Sequence, residues 1–173
     1  MPNNRLPSPT FLDNEGDVRL LLVGDVIGTT ASRLFSQALP ELRRDWSIDF
    51  VVANGENANG FGMTPDTANQ MLKSGVDVLT GGNHSLRPSA IHPLLDAEPH
   101  ILRPANLAPP STPGSGLGVY RHSAGTFVVC NLSGQVYMDP ADSPFHTVDA
   151  MLSSAEPLGS ATFILIDFHA EAT

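Results

Sequence analysis

Apolar positions fall along this chain in short blocks separated by stretches of helical spacing, and the alternation sets the expected order of elements. Arg19 to Val23 is a short, almost wholly apolar run, the pattern of a strand buried on both faces of a parallel sheet. Leu34, Phe35, Ala38, Leu39 and Leu42 then recur at helical spacing within Ala31 to Arg44. Arg43 and Arg44 fall in the last turn, where the macrodipole favours cations. Asp49 to Ala53 predicts a second strand, and the Gly- and Asn-rich segment Asn54 to Met63 a loop that needs positive φ angles. Thr64 as N-cap, Pro65 at the first helical position, Asp66 in the first turn and Gly75 past the end delimit a second helix. Val76 to Thr80 follows as a third strand. Such a β-α-β-α-β succession predicts right-handed crossovers and a mainly parallel sheet.

Beyond it, Pro88 to Ala97 predicts a short helix and Ile101-Leu102 a short strand. Seven of the fifteen residues from Pro104 to Gly118 are Pro or Gly, which predicts an irregular surface loop. Val119-Tyr120 and Thr126 to Leu132, joined through Ser123-Ala124-Gly125, have the pattern of a hairpin. Val148, Met151 and Leu152 place a helix over Thr147 to Ser154. Ala161 to Phe168 is the most apolar run and predicts a central strand, interrupted by Asp167. Residues 1–17 carry Pro2, Pro7, Pro9 and several Asn, Asp and Glu, and are expected to form a flexible tail; residues 18–173 are expected to form one domain without internal repeats.

Composition narrows the partners. With 173 residues, 41% apolar and 16% charged, the chain can build a single core. A net charge of −9 argues against a scaffold for duplex nucleic acid, which needs Lys and Arg to displace counterions. A small anionic substrate stays compatible if metal ions reverse the charge locally. Cys130, the single cysteine, lies inside an apolar run and is expected to be a buried, inert thiol. No run reaches the roughly 18 apolar residues that span a bilayer, and the first residues lack the apolar stretch of a signal peptide. The expected location, by elimination, is cytoplasmic.

The chemistry lies where apolar runs end. Gly24-Asp25, Gly55-Glu56-Asn57, Gly81-Gly82-Asn83-His84 and Phe168-His169 each close such a run with residues that ligate metals. Parallel strands bring their carboxyl ends to one edge of a sheet, so side chains far apart in sequence converge there. Asp25 and Glu56 supply anionic oxygen, Asn57 and Asn83 amide oxygen, and His169 an imidazole nitrogen. That mixed set suits Fe, Mn or Zn better than Ca or Mg. Two dications against two carboxylates leave a positive site in an acidic protein. Ions about 3.5–4 Å apart bridge a hydroxide and clamp the oxygens of a phosphoryl group. If Asn83 is a ligand, His84 stands beside the substrate as a general acid; otherwise it is a hydrogen-bonded capping residue. Of the remaining histidines, His92, His100 and His122 are expected at the solvated surface, and His146 has a weaker claim to face substrate. Phe61 and Tyr137 are candidates for base stacking, with ordinary packing the simpler reading. Glu171 either orients a ligand or is exposed.

Five segments together carry a resemblance. Gly-Asp-Val-Ile-Gly (24–28), Asn-Gly-Glu-Asn-Ala-Asn-Gly-Phe-Gly-Met (54–63), Gly-Gly-Asn-His (81–84), Arg-Pro-Ala-Asn (103–106) and Asp-Phe-His-Ala-Glu-Ala-Thr (167–173) make Val18 to Thr173 resemble the YmdB-type branch of the calcineurin-like metallophosphoesterases. Ile27 stands where ordinary members of that superfamily carry a His, and this branch uses the Glu-Asn pair instead. The resemblance implies an α/β fold, a four-layer α/β/β/α sandwich. It implies Asp25 and Asn57 on one metal, Glu56 bridging, Asn83 and His169 on the other, and His84 as proton donor. The implied activity is that of a phosphodiesterase with a metal-bridging hydroxide, acting on a small phosphodiester, with 2′,3′-cyclic nucleotides as substrate class.

Members of this branch carry a later Gly-Thr-His-Thr-His segment that gives one further His to each metal. On that comparison the chain is C-terminally truncated, its sandwich incomplete, and it is expected to be poorly stable and nearly inactive alone. Two other readings compete: a non-catalytic remnant that binds metal or anion without turnover, and a Rossmann-like nucleotide-binding module. The latter lacks a Gly-x-Gly-x-x-Gly turn after the first strand.

Overall fold

The structure, a computed structural model, describes residues 16–107, 111–154 and 162–172. The first fifteen residues of the expected tail therefore lie outside the described residues, as do three residues of the Pro- and Gly-rich loop and the start of the last apolar run. Among the described residues six strands form two three-stranded sheets. The first comprises β1 (Leu20–Val23), β2 (Phe50–Asn54) and β3 (Val78–Thr80), all parallel and in that order. The crossovers are α1 (Gly28–Asp45) and α2 (Pro65–Lys73). The second sheet comprises β4 (Leu117–His122), β5 (Gly125–Ser133) and β6 (Thr162–His169), with β4 antiparallel and β6 parallel to β5.

Two cores give the layering. Leu39, Val51, Ala53, Met71 and Leu79 bury one face of the first sheet against the helices. Its other face meets the second sheet through Phe50, Val52 and Val78 against Tyr120, Phe127 and Val129. With α4 (Pro144–Ser154) packed on β5, the layers run helix, sheet, sheet, helix, the four-layer α/β/β/α sandwich. The Phe127 ring, fully buried, stacks on Phe50 at 4.1 Å and 6° and on Phe163 at 5.1 Å and 19°, joining the sheets through face-to-face aromatic contact.

Local signals explain most boundaries. Thr64 caps α2 in a capping box closed by Thr67, and Gly75 leaves the helix at φ +109°. Arg43 does more than answer a helix dipole: it donates to the Gly75 and Asp49 carbonyls and pairs with Asp77 at 3.0 Å, tying α1 to the turns around it. Pro88 to Ala97 divides into a 3-10 turn (Ser89–Ile91) and α3 (His92–Ala97). Ile101 and Leu102 form isolated bridges to Leu79 and Ser115 rather than a full strand.

Two expectations about burial are corrected. The first strand is not buried on both faces, since Leu22 is 63% exposed, and among the described residues β1 is an edge. The last apolar run is not central either. Among the described residues β6 is an edge, and Ile164, Ile166 and Phe168 alternate outward at 43–47% exposure. Hydrophobicity registers how apolar a strand is, not which neighbour covers it, so the run's composition could not distinguish an edge from a centre. Cys130 is buried as expected, and burial pushes its thiol pKa up. Among the described residues no helix is long and apolar enough to cross a membrane.

Phe127→Ala should cost about 3–5 kcal/mol, the usual loss for a fully buried aromatic, read as a lower urea midpoint. A loss below about 1 kcal/mol would mean that the inter-sheet stack does not hold the layers together.

Candidate active site

Each expected site residue leaves the carboxyl end of a strand or the turn after it. Asp25 follows β1, Glu56 and Asn57 follow β2, Asn83 and His84 follow β3, and His169 ends β6. The structure brings all six together. Asn57 Nδ2 donates to Asp25 Oδ2 at 2.8 Å and to Glu56 Oε1 at 2.9 Å. Asn57 Oδ1 accepts from His84 Nδ1 at 2.9 Å, and that nitrogen lies 3.5 Å from Glu56 Oε1. On the other side, His169 Nε2 lies 3.2 Å from Glu56 Oε2 and 3.1 Å from Asn83 Oδ1. Glu56 is thus common to two groups: one oxygen meets Asn57 and His84, with Asp25 reached through Asn57, and the other lies by His169, which bonds Asn83.

Glu56 is also the residue in tension. It is 1% exposed, and its Oε2 has no hydrogen-bond partner, because the close approach of His169 lacks hydrogen-bond geometry. Burial pushes its carboxyl pKa up, opposed by His169 and His84 and reinforced by Asp25. A buried carboxylate oxygen left unpaired is costly unless a cation meets it. Gly82 keeps side-chain atoms away from this oxygen: a Cβ there would fall on Glu56 Oε2 and 2.6 Å from the His169 ring.

Among the described residues no three His, Cys, Asp or Glu form a group that could hold a metal ion by themselves. The set closes only when the amides of Asn57 and Asn83 are included. On the His169 side the donors fit a cation; on the other side Asn57 turns Nδ2 toward Asp25 and Glu56, and its amide has to rotate to offer Oδ1 there. The separations of His169 Nε2 from Glu56 Oε2, 3.2 Å, and from Asn83 Oδ1, 3.1 Å, match the edges of a shell whose bonds are about 2.1 Å.

What holds these ends in register was missed by the sequence reading. The Gly81 peptide is clamped between the sheets: Asn131 Oδ1 accepts from Gly81 N at 2.9 Å, and Asn131 Nδ2 donates to Gly81 O at 3.1 Å and Asp167 O at 3.2 Å. Asn54 Nδ2 donates to the same Gly81 carbonyl and to Asp167 Oδ2, both at 3.1 Å, while its Oδ1 accepts from Glu56 N at 3.0 Å. Asn131 and Asp167 are register partners in β5 and β6. Each is the polar break in an apolar run, and that was the signal available. Asn106, from the Arg-Pro-Ala-Asn segment, likewise brackets both polar groups of Ser133 at 2.7 and 2.8 Å, beside His169.

The other candidates fall outside the cluster. His92 and His100 bond to the Leu86 and Asp77 carbonyls, and His122 packs on Phe50 and Phe127 rather than standing free in solvent. His146 is exposed in the first turn of α4. Glu171 is 48% exposed and 4.0 Å from His169 Nε2. Ordinary packing does not describe Phe61 or Tyr137, which are 70% and 89% exposed.

With this geometry in place, the chain can be set beside known proteins. The profile of the family described as YmdB-like protein matches residues 21–173. A 2′,3′-cyclic-nucleotide 2′-phosphodiesterase of Bacillus subtilis (strain 168) is 36% identical over 157 residues, covering 90% of this chain and 58% of that protein. A crystal structure of a hypothetical protein from Thermus thermophilus superposes with a TM-score of 0.80 at 33% identity, covering 90% of this chain and 59% of that one. A phosphatase structure from Mycoplasma pneumoniae gives 0.79 at 23% identity, over 90% and 56%, and shares the fold. The chain therefore spans a little under three fifths of the relatives it matches.

Asn131→Ala should orphan the Gly81 N–H, at about 1–3 kcal/mol for a buried group, while the Gly81 carbonyl keeps its bond from Asn54 Nδ2. Urea unfolding should show the loss, and amide exchange at Gly81 and Gly82 should accelerate. Unchanged exchange there would show that the clamp is not what holds the turn.

Proposed function

This chain belongs to the YmdB-like family, and on that premise we propose that it forms part of a dinuclear metal-dependent phosphodiesterase acting on 2′,3′-cyclic nucleotides. The observation that carries the reading is the double membership of Glu56, whose two oxygens face two separate donor groups. We assign Asp25 and Asn57 to one ion, Asn83 and His169 to the other, and Glu56 to both, with Fe or Mn preferred and Zn compatible. Two such ions, when bound, acidify water and hold phosphoryl oxygens.

The residues of the chain itself supply the rest. Asp25 and Glu56 provide the charge that retains cations, and burial of Glu56 makes that retention strong because water competes poorly. His84 is held through Nδ1 by the Asn57 amide oxygen, which fixes the ring and leaves Nε2 to carry the transferable proton. Nδ1 also lies 3.5 Å from Glu56 Oε1. In the reaction, water adds to phosphorus, one ribose–oxygen-to-phosphorus bond breaks, and His84 protonates the departing ribose oxygen, giving a nucleoside monophosphate. An acidic chain binding an anionic substrate is consistent with this only through the cations, which is why metal retention is the primary test.

Glu56→Gln should lose more metal than Asn57→Ala by elemental analysis, since it removes a charge shared by two ions while the other removes a neutral donor to one. Equal retention would remove the bridging assignment. In a full-length relative, the change equivalent to His84→Ala should keep its metal and lose about 10²–10⁴-fold in turnover on a cyclic nucleotide, with a much smaller loss on a nitrophenyl ester, whose leaving group needs no proton. The same loss on both substrates would make His84 a binding residue instead.

A further inference from the structure

We propose that Phe61 is a base-stacking platform, receiving the purine or pyrimidine of a nucleotide whose phosphodiester lies against His84 and the Glu56 cluster. The proposal rests on the phosphodiesterase reading above and adds the nucleobase as the recognised group. Exposure alone would say little, because isolated apolar side chains on a surface are ordinary. Phe61 differs in how it is held and in what it touches.

The ring sits on the turn that carries Glu56 and Asn57. Gly60 and Gly62 flank it at φ +95° and +84°, conformations that other side chains rarely adopt. Backbone bonds from Gly60 N to Asn57 O at 2.7 Å, from Asn59 N to Gly62 O at 3.0 Å and from Gly62 N to Glu56 O close the turn on itself. A Cβ on Gly62 would strike the Pro88 ring and come within 2.9 Å of His84 O, so the turn is seated directly on the His84 segment. The direction of the Phe61 side chain is therefore set by the same backbone that sets the cluster. Its ring meets the His84 ring at 5.1 Å and 85°, an edge contact that leaves most of the phenyl group, 70% of the residue's surface, open to solvent.

Chemistry supplies the occupant. A group that protonates the leaving oxygen of a cyclic nucleotide stands against the ribose, and the base is carried by that same ribose. An open aromatic face adjoining the proton donor is where the base would fall. Stacking reads the π-face rather than the hydrogen-bonding edge, so the platform should accept purines and pyrimidines alike.

The test compares 2′,3′-cyclic AMP with base-free methyl riboside 2′,3′-cyclic phosphate, by titration calorimetry on the manganese-loaded chain. In the unaltered protein the adenine should improve the dissociation constant about 5- to 100-fold. Phe61→Ala and Phe61→Leu should abolish that gain while leaving the base-free compound unchanged, and Phe61→Trp should retain it. The Leu variant keeps bulk without a π-face, which separates stacking from filling of space. Binding of the base-free compound with no gain from adenine, or a gain that survives Phe61→Ala, overturns the platform alone. Failure of both compounds to bind the unaltered protein overturns the platform and the phosphodiesterase reading together.

Discussion

One carboxylate organises this molecule. Glu56 is buried, its carboxyl pKa is raised by that burial, and one of its oxygens has no partner. A group of that kind is destabilising by itself, and the surrounding polar side chains fix everything near it except that oxygen. Asn54 takes its backbone N–H, Asn57 takes Oε1, and His169, bonded to Asn83, stands beside Oε2 without satisfying it. The fold tolerates the cost at the place where a cation would turn it into an attraction.

The two sheets make that arrangement possible. Asp25, Glu56, Asn57, Asn83 and His84 all come from the first sheet, while His169 comes from the second. Their relative position depends on the contact between layers, which combines the Phe50, Phe127 and Phe163 stack with the polar clamp on the Gly81 peptide. The division of labour follows from the physics of each contact. Aromatic burial is strong and weakly directional, so it holds the layers together; buried hydrogen bonds to a single peptide are directional, so they set the register. Gly81 and Gly82 are required because a side chain at either would strike Ser85 or Glu56.

Exposure is distributed in a way that separates structural from ligand-facing roles. The polar residues that build the register, Asn54, Asn106 and Asn131, are buried, whereas Phe61, a large apolar side chain, is open to solvent on a closed turn. Both invert the usual preference, and both occur next to the cluster. Histidines away from it do ordinary work: His92 and His100 satisfy carbonyls, and His122 fills space beside Phe50.

The sequence by itself determined the parallel first sheet, its two crossover helices, the hairpin, and the strand-end positions of Asp25, Glu56, Asn57, Asn83, His84 and His169, because period and punctuation are local properties. Thr64, Pro65 and Gly75 announced α2 from three residues, since a cap, a fixed φ and a positive φ are each demands of a single backbone position. Tertiary structure alone decided the rest. That β1 and β6 are edges among the described residues, that Phe61 stands open, that Asn131 faces Asp167 and clamps Gly81, and that Glu56 keeps an unpaired oxygen are all statements about which residue lies opposite which. A single sequence carries the apolar or polar character of a residue. The neighbour that answers it is chosen only when the layers meet.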